Sequence, residues 1–353
     1  MGSHANILDL TGQSSLGNGM RVCSVCGKEN PPEGKYCSFC GRVLDTGGPG
    51  VVHSADESAE YSRKNLLNSI GWRRNTDRHI PPLWCILSLL MVVPTAGLYG
   101  ISLLAAFLHF NYGGGDLWNL FYGVGRNFFS ALFGVLLGVL VYKLLSRLNA
   151  HIDREGGLRS AVMSYLMSSS RAGTADPEMM KNLMSASAFD GQALTYEKKL
   201  PPRTWAWRIA AVFVLGSILS VAEWAIMYYR DDAFDSFGLF VVLSYGMYII
   251  LFIGLIMLLS LASTLMKTMY THEERWIGFV NSSGVALRKL GKKFEPSIDA
   301  GSHKERPFVL YAVLTVITFG VFGIYWLYTL IDDPNKHFER QHVVEDALAK
   351  AVG

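Results

Sequence analysis

The chain has 353 residues, of which half are hydrophobic and only 17% charged, with a net charge of +3 and a positive mean hydropathy of +0.24. That balance excludes an ordinary soluble globular protein and a disordered chain, and so small a charge gives no reason to expect nucleic acid as a partner. The apolar residues are gathered into stretches of membrane length. The expected fold class is therefore an all-α integral membrane bundle in the lipid bilayer, because irregular backbone and open sheet edges cannot sit in lipid.

Residues 1–20 are rich in Gly, Ser and Asn and read as flexible. The polar first 80 residues hold no apolar run of export-signal type, which makes the first membrane stretch the insertion signal and keeps the amino terminus cytosolic. Residues 21–44 hold four of the five cysteines, as Cys23-Ser-Val-Cys26 and Cys37-Ser-Phe-Cys40. Two such turns set four thiolates at the corners of a tetrahedron, and Gly27 and Gly41 allow the tight backbone that follows each pair. One structural Zn2+ is expected there, supplying most of the folding free energy of a segment with almost no core.

This stretch, with Pro31-Pro32 and with Tyr36 before the third Cys, resembles the short zinc-ribbon modules at the termini of many bacterial and archaeal membrane proteins. The resemblance implies a structural zinc site at Cys23, Cys26, Cys37 and Cys40, and an adaptor role instead of catalysis.

Residues 45–78 form a linker and juxtamembrane segment. Membrane unit 1, residues 79–165, carries apolar stretches at 82–110 and 128–148; a cytosolic connector follows at 166–198. Membrane unit 2, residues 199–300, carries stretches at 207–229 and 237–269. Unit 3, residues 301–353, holds a fifth stretch at 307–331 and the carboxyl-terminal tail. The expectation is thus four transmembrane helices plus a fifth segment that spans or re-enters. Lys and Arg concentrate before the first stretch and in the long segments after the second and fourth, which puts these on the cytosolic side of a cytoplasmic (cell) membrane.

Each unit ends in the same signature, His-x-acidic-Arg: His151-Ile-Asp153-Arg154, His272-Glu-Glu274-Arg275 and His337-Phe-Glu339-Arg340. At this composition even one such tetrapeptide is improbable, at roughly a few per cent. From Pro82 to His151 is 69 positions and from Pro202 to His272 is 70, the spacing of a duplicated helix hairpin. Both hairpins start and end inside, so the repeat is parallel.

In unit 3 the sequence Thr318-Phe-Gly320-Val-Phe-Gly323 repeats Thr95-Ala-Gly97-Leu-Tyr-Gly100 of unit 1. Glycines so placed either admit a close neighbour or break the helix. A continuous helix would send the carboxyl terminus outside. A break returns His337 beside its two counterparts, and the repeat favours the break. Together with Tyr325-Trp326 and Asn335-Lys-His337, this region resembles an uncharacterised family of small archaeal and bacterial membrane proteins with a T-x-G-x-x-G-x-Y-W core and an Asn-x-His tail. The resemblance implies no activity.

For the signature, the structural expectation is that His and Arg face the headgroup layer while the acid at i+2 pairs with Arg. The functional alternative is that the three helix ends converge into a ring of imidazoles for a metal or an anionic ligand. Glu223 is the one acid well inside an apolar stretch, either hydrogen-bonded in place or lining an ion path. Gly134-x-x-x-Gly138 offers a packing face. Residues 158–167 and 179–184 read as amphipathic surface helices or packing elements. Nothing in the sequence resembles a nucleophile with its base or a phosphate-cradling loop, so no enzyme is expected. The reading is a multi-pass scaffold, adaptor or assembly subunit that binds protein partners through the ribbon and tail, as a homo-oligomer or part of a larger complex. The alternatives are a transporter or channel using Glu223, or a membrane-anchored sensor.

Overall fold

The computed structural model describes residues 21–22, 29–30, 55–88, 115–170, 176–197, 199–229, 233–296, 305–318 and 320–353. Two short strands, β1 (Arg21–Val22) and β2 (Glu29–Asn30), pair antiparallel with Val22 opposite Glu29. The cysteines Cys23, Cys26, Cys37 and Cys40 lie outside the described residues, as do Thr95, Gly97 and Gly100.

All other elements are helical. They are α1 (Ala55–Gly71), α2 (Arg73–Thr76), a 3-10 segment (Pro82–Ser88), α3 (Gly115–Ser170), α4 (Pro177–Tyr196), α5 (Pro202–Tyr229), α6 (Ala233–Lys289), α7 (Phe308–Ile317) and α8 (Val321–Val352). Among the described residues three helices, α3, α5 and α6, are long and apolar enough to cross a membrane, which makes this an all-helical membrane protein. The first of the four predicted spans, stretch 82–110, begins with the 3-10 segment and lies outside the described residues after Ser88.

With 56 and 57 residues, α3 and α6 are more than twice the roughly 20 residues a span requires. Beyond their apolar runs the chain stays free of proline, and each helix continues past its signature histidine. The boundary drawn at residue 165 is accordingly passed without a break, and the connector is the last turn of α3 followed by α4. Helix α4 starts sharply because the Asp176 side chain accepts from the Glu178 backbone N–H and Pro177 occupies the first turn. Helix α6 ends at Gly291, whose φ of 74° suits only a residue without Cβ, and Lys292 N–H closes the turn on Leu287 O.

The fifth stretch is broken. The Thr318 hydroxyl donates to Leu314 O at 2.7 Å and accepts from Phe322 N–H at 2.9 Å, stapling the end of α7 to the start of α8. Gly320, at φ 89°, takes the left-handed corner between them. The chain then doubles back, so that Arg306 pairs with Asp333 at 2.6 Å and the rings of Tyr311 and Trp326 lie 6.0 Å apart. At ten residues α7 is about 15 Å long, half a bilayer. Gly323 faces Thr315 across this hairpin at ordinary contact distance.

Two hydrophobic cores result. One, within the apolar bundle, joins α3, α5 and α6 through residues such as Leu140, Leu145, Ile209 and Leu261. Here α3 and α5 approach closely: a Cβ on Gly134 would run into the Phe213 side chain, and one on Gly138 would lie 2.8 Å from Ala206 O. The other core, in the helical head beyond the signatures, joins α1, α3, α4, α6 and α8 through Leu66, Leu166, Phe279, Leu287 and Leu348. Residues 158–167 and 179–184 contribute Leu158, Val162, Leu166, Met179 and Leu183 to it, so one face of each is a packing element. The three signatures lie where the two cores meet.

Candidate metal centre

A helix carrying His at position i presents i+3 and i+4 on the same face. In α3, α6 and α8 that face turns inward, and His151, His272 and His337 are 0%, 0% and 2% exposed. Their ring centroids form a nearly equilateral triangle with sides of 5.3, 5.3 and 5.1 Å. The headgroup-facing expectation is thereby overturned: the helix that carries each histidine packs against the other two, which closes the face to water. The three helix ends bring their imidazoles together.

Each imidazole is oriented by a carboxylate at Nδ1. Asp77 Oδ1 lies 2.9 Å from His151 Nδ1, Glu197 Oε1 lies 3.0 Å from His272 Nδ1, and Glu273 Oε2 lies 3.5 Å from His337 Nδ1. Each carboxylate is in turn gripped by the arginine three residues after the histidine it orients. Arg154 reaches Asp77 at 2.8 Å, Arg275 reaches Glu197 at 3.2 Å, and Arg340 reaches Glu273 at 2.7 Å. The signature therefore encodes a histidine together with the clamp for its own orienting acid.

The acid at i+2 has no part in this. It points about 200° around the helix from the histidine, and Asp153 pairs with Lys199 while Glu274 and Glu339 are exposed. The expected pairing of that acid with the signature arginine is thus corrected: the arginine is already occupied on the inner face.

Carboxylates holding Nδ1–H assign the tautomer that leaves the Nε2 lone pairs free. The Nε2 atoms of His151 and His272 face each other at 3.3 Å. Between them comes Glu155, one turn after His151 and 0% exposed. Arg159 holds its Oε1, leaving Oε2 at 2.8 Å from His272 Nε2 and 3.5 Å from His151 Nε2. Close as it is, Oε2 lacks hydrogen-bond alignment to any group, and His337 Nε2 likewise has no hydrogen-bond partner. The ligand-capable atoms of the four residues lie within 4.8 Å of one another.

The buried acids and bases around the cluster shift one another. Burial alone would raise the Asp77 carboxyl, but hydrogen bonds from His151 and His342 and the charges of His151 and Arg154 hold it well below the usual range. Burial also opposes ionisation of Glu197, and His272 and Arg159 again overturn it. Burial pushes His337 down to about 4, against the hydrogen bond to Glu273 and aided by the neighbouring imidazoles. Glu345 is raised by burial, although Arg154 contacts it at 2.7 Å.

Glu155, Asp77, Glu197 and Glu273 escaped the sequence reading. Glu155 carried a local signal, the His-x-x-x-Glu spacing that puts two ligands on one helix face. Asp77 and Glu197 carried a repeat signal: each stands five residues before the proline that opens its unit, Pro82 or Pro202. Unit 3 has no such acid and borrows Glu273 from unit 2. Asn149 and Asn335, two residues before their histidines, do separate work, on Leu200 O and on the Ile80 backbone. Glu223 belongs elsewhere; its carboxylate, on α5, accepts from the Ser244 hydroxyl.

Comparison with known proteins covers the last unit only. Residues 306–351, which include the α7–α8 hairpin, His337 and Arg340, match a domain of unknown function, DUF4234. No curated protein and no solved structure matches the chain.

Proposed function

We propose that His151, His272, His337 and Glu155 hold one divalent first-row transition-metal ion that ties the three units together at the membrane boundary. The observation that carries this reading is the set of buried imidazoles whose Nδ1 atoms all lie against carboxylates and which, with Glu155, each bring one ligand-capable atom within 4.8 Å of the others. Three imidazoles and a carboxylate suit Zn2+, Fe2+ or Mn2+. Tetrahedral ligation at about 2.05 Å spaces ligand atoms about 3.3 Å apart, the separation between His151 and His272 Nε2. A proton on one of these nitrogens would satisfy one pair of atoms and leave His337 Nε2 unserved.

Four buried protein ligands fill a tetrahedral shell, the arrangement of structural metals and not of catalytic ones, which keep a position open. The protein is accordingly a multi-pass membrane scaffold or assembly subunit and no enzyme, with its metal-clasped head and its zinc ribbon on the cytosolic side of the cell membrane. Ribbon and carboxyl-terminal tail serve protein partners. Glu223, bonded to Ser244, gives no support to an ion path.

Elemental analysis of the purified full chain tests this. Wild type is expected to carry one metal ion beyond the zinc of the ribbon. The double variant Cys37→Ser/Cys40→Ser should lose the ribbon zinc alone, and His272→Gln/His337→Gln the other ion alone. A metal content insensitive to the histidine pair would refute the centre.

A further inference from the structure

Beside the centre lies a cavity of about 500 Å³, between the ends of the apolar runs of α3 and α6 and the α7–α8 hairpin. Phe338 is the shared wall: it lines the cavity and stacks on the His151 ring at a centroid distance of 4.2 Å. One side is apolar, with Leu144, Leu148, Leu265, Met266 and Met269 from the last turns of the spans. The other side is basic, with Arg147, Arg306, Lys336 and Arg340 against Glu305 and Asp333.

Three of the four cations are already neutralised. Arg306 pairs with Asp333, Lys336 with Asp332 at 2.7 Å, and Arg340 with Glu273. Arg147 is different. It is 7% exposed, and its described acceptors are neutral, the Arg78 carbonyl at 3.2 Å and the Asn335 side-chain carbonyl. Its Nε has no partner, its guanidinium lies 5.1 Å from the Phe338 ring centroid, and no ion pair joins it to a carboxylate among the described residues. A buried guanidinium with only neutral acceptors is costly, and an anion entering beside it removes that cost.

We propose that this cavity binds an anionic amphiphile, its headgroup on Arg147 and its acyl chain along the Leu144–Leu265–Met269 wall. The volume is that of a small-molecule site. The level is the one at which lipid headgroups and chains part, so the source is an anionic phospholipid of the surrounding bilayer. The inference does not rest on metal at the neighbouring centre.

The test is binding of dioctanoyl phosphatidylglycerol to the purified full chain in detergent, followed by native mass spectrometry. Dioctanoyl phosphatidylcholine and glycerol phosphate separate the roles of charge and chain. Phosphatidylglycerol should bind saturably and at least about tenfold more tightly than either comparison ligand, since a charge-assisted contact and an apolar wall are both required. Arg147→Gln should remove that preference, and Met269→Trp, which fills the apolar side and leaves Arg147 in place, should weaken binding at least about tenfold. Equal binding of the two lipids by wild type would overturn the proposal. So would glycerol phosphate binding as tightly as the lipid, or unchanged binding in Met269→Trp.

Discussion

The apolar bundle and the boundary layer are stretches of the same helices held by opposite physics. In the bundle α3 meets α5 through Gly134 and Gly138, where the absence of a side chain lets the backbones approach. Within about three turns past the end of the α3 apolar run, the same helix meets its neighbours through His151, Arg154, Glu155 and Arg159, every one of them buried. Close packing in lipid rests on van der Waals contact and tolerates no added volume. The boundary layer rests on charges that are affordable only while each has its partner. A break in one should leave the other's signature measurement untouched.

The largest effect is expected from Arg154→Ala. Arg154 bridges Asp77 and Glu345, both fully buried at the side chain, so its loss removes the guanidinium the two carboxylates share and should cost about 3–5 kcal/mol. Thermal unfolding with parallel elemental analysis would show lower stability and lower metal content together; a stable variant with full metal would show that the arginine clamp is not needed. Gly134→Leu comes next, at about 1–3 kcal/mol from overpacking against Phe213. It should leave metal content unchanged, and a loss of metal would show the two regions to be one cooperative unit. Glu339→Gln is expected to fall within about 0.5 kcal/mol of wild type in both readouts, because this signature acid is exposed. A clear loss there would restore a structural role to the i+2 position.

Much of this arrangement was legible in the sequence. Three spans showed as apolar runs, and the returning hairpin showed in Thr318-x-Gly320. Helix ends did not, because α3 and α6 pass from lipid to the head without any change in backbone preference. The histidines were visible as a motif, whereas their burial depends on which face of α8 turns toward α3 and α6, a tertiary matter. The orienting acids were the hardest, since Asp77 stands 74 residues from His151 and Glu197 stands 75 from His272. Only the matched five-residue offset from Pro82 and Pro202 connects them, and it takes on meaning once the pairs are seen together.

X-ray absorption at the metal edge, on full-length Cys37→Ser/Cys40→Ser protein so that no ion held by the amino-terminal cysteines contributes, tests the central claim most directly. The account predicts one bound ion whose nearest shell is nitrogen and oxygen at about 2.0–2.2 Å, with imidazole outer-shell scattering from three histidines and no sulfur. An ion-free protein after metal repletion, or a shell without multiple imidazoles, would contradict it.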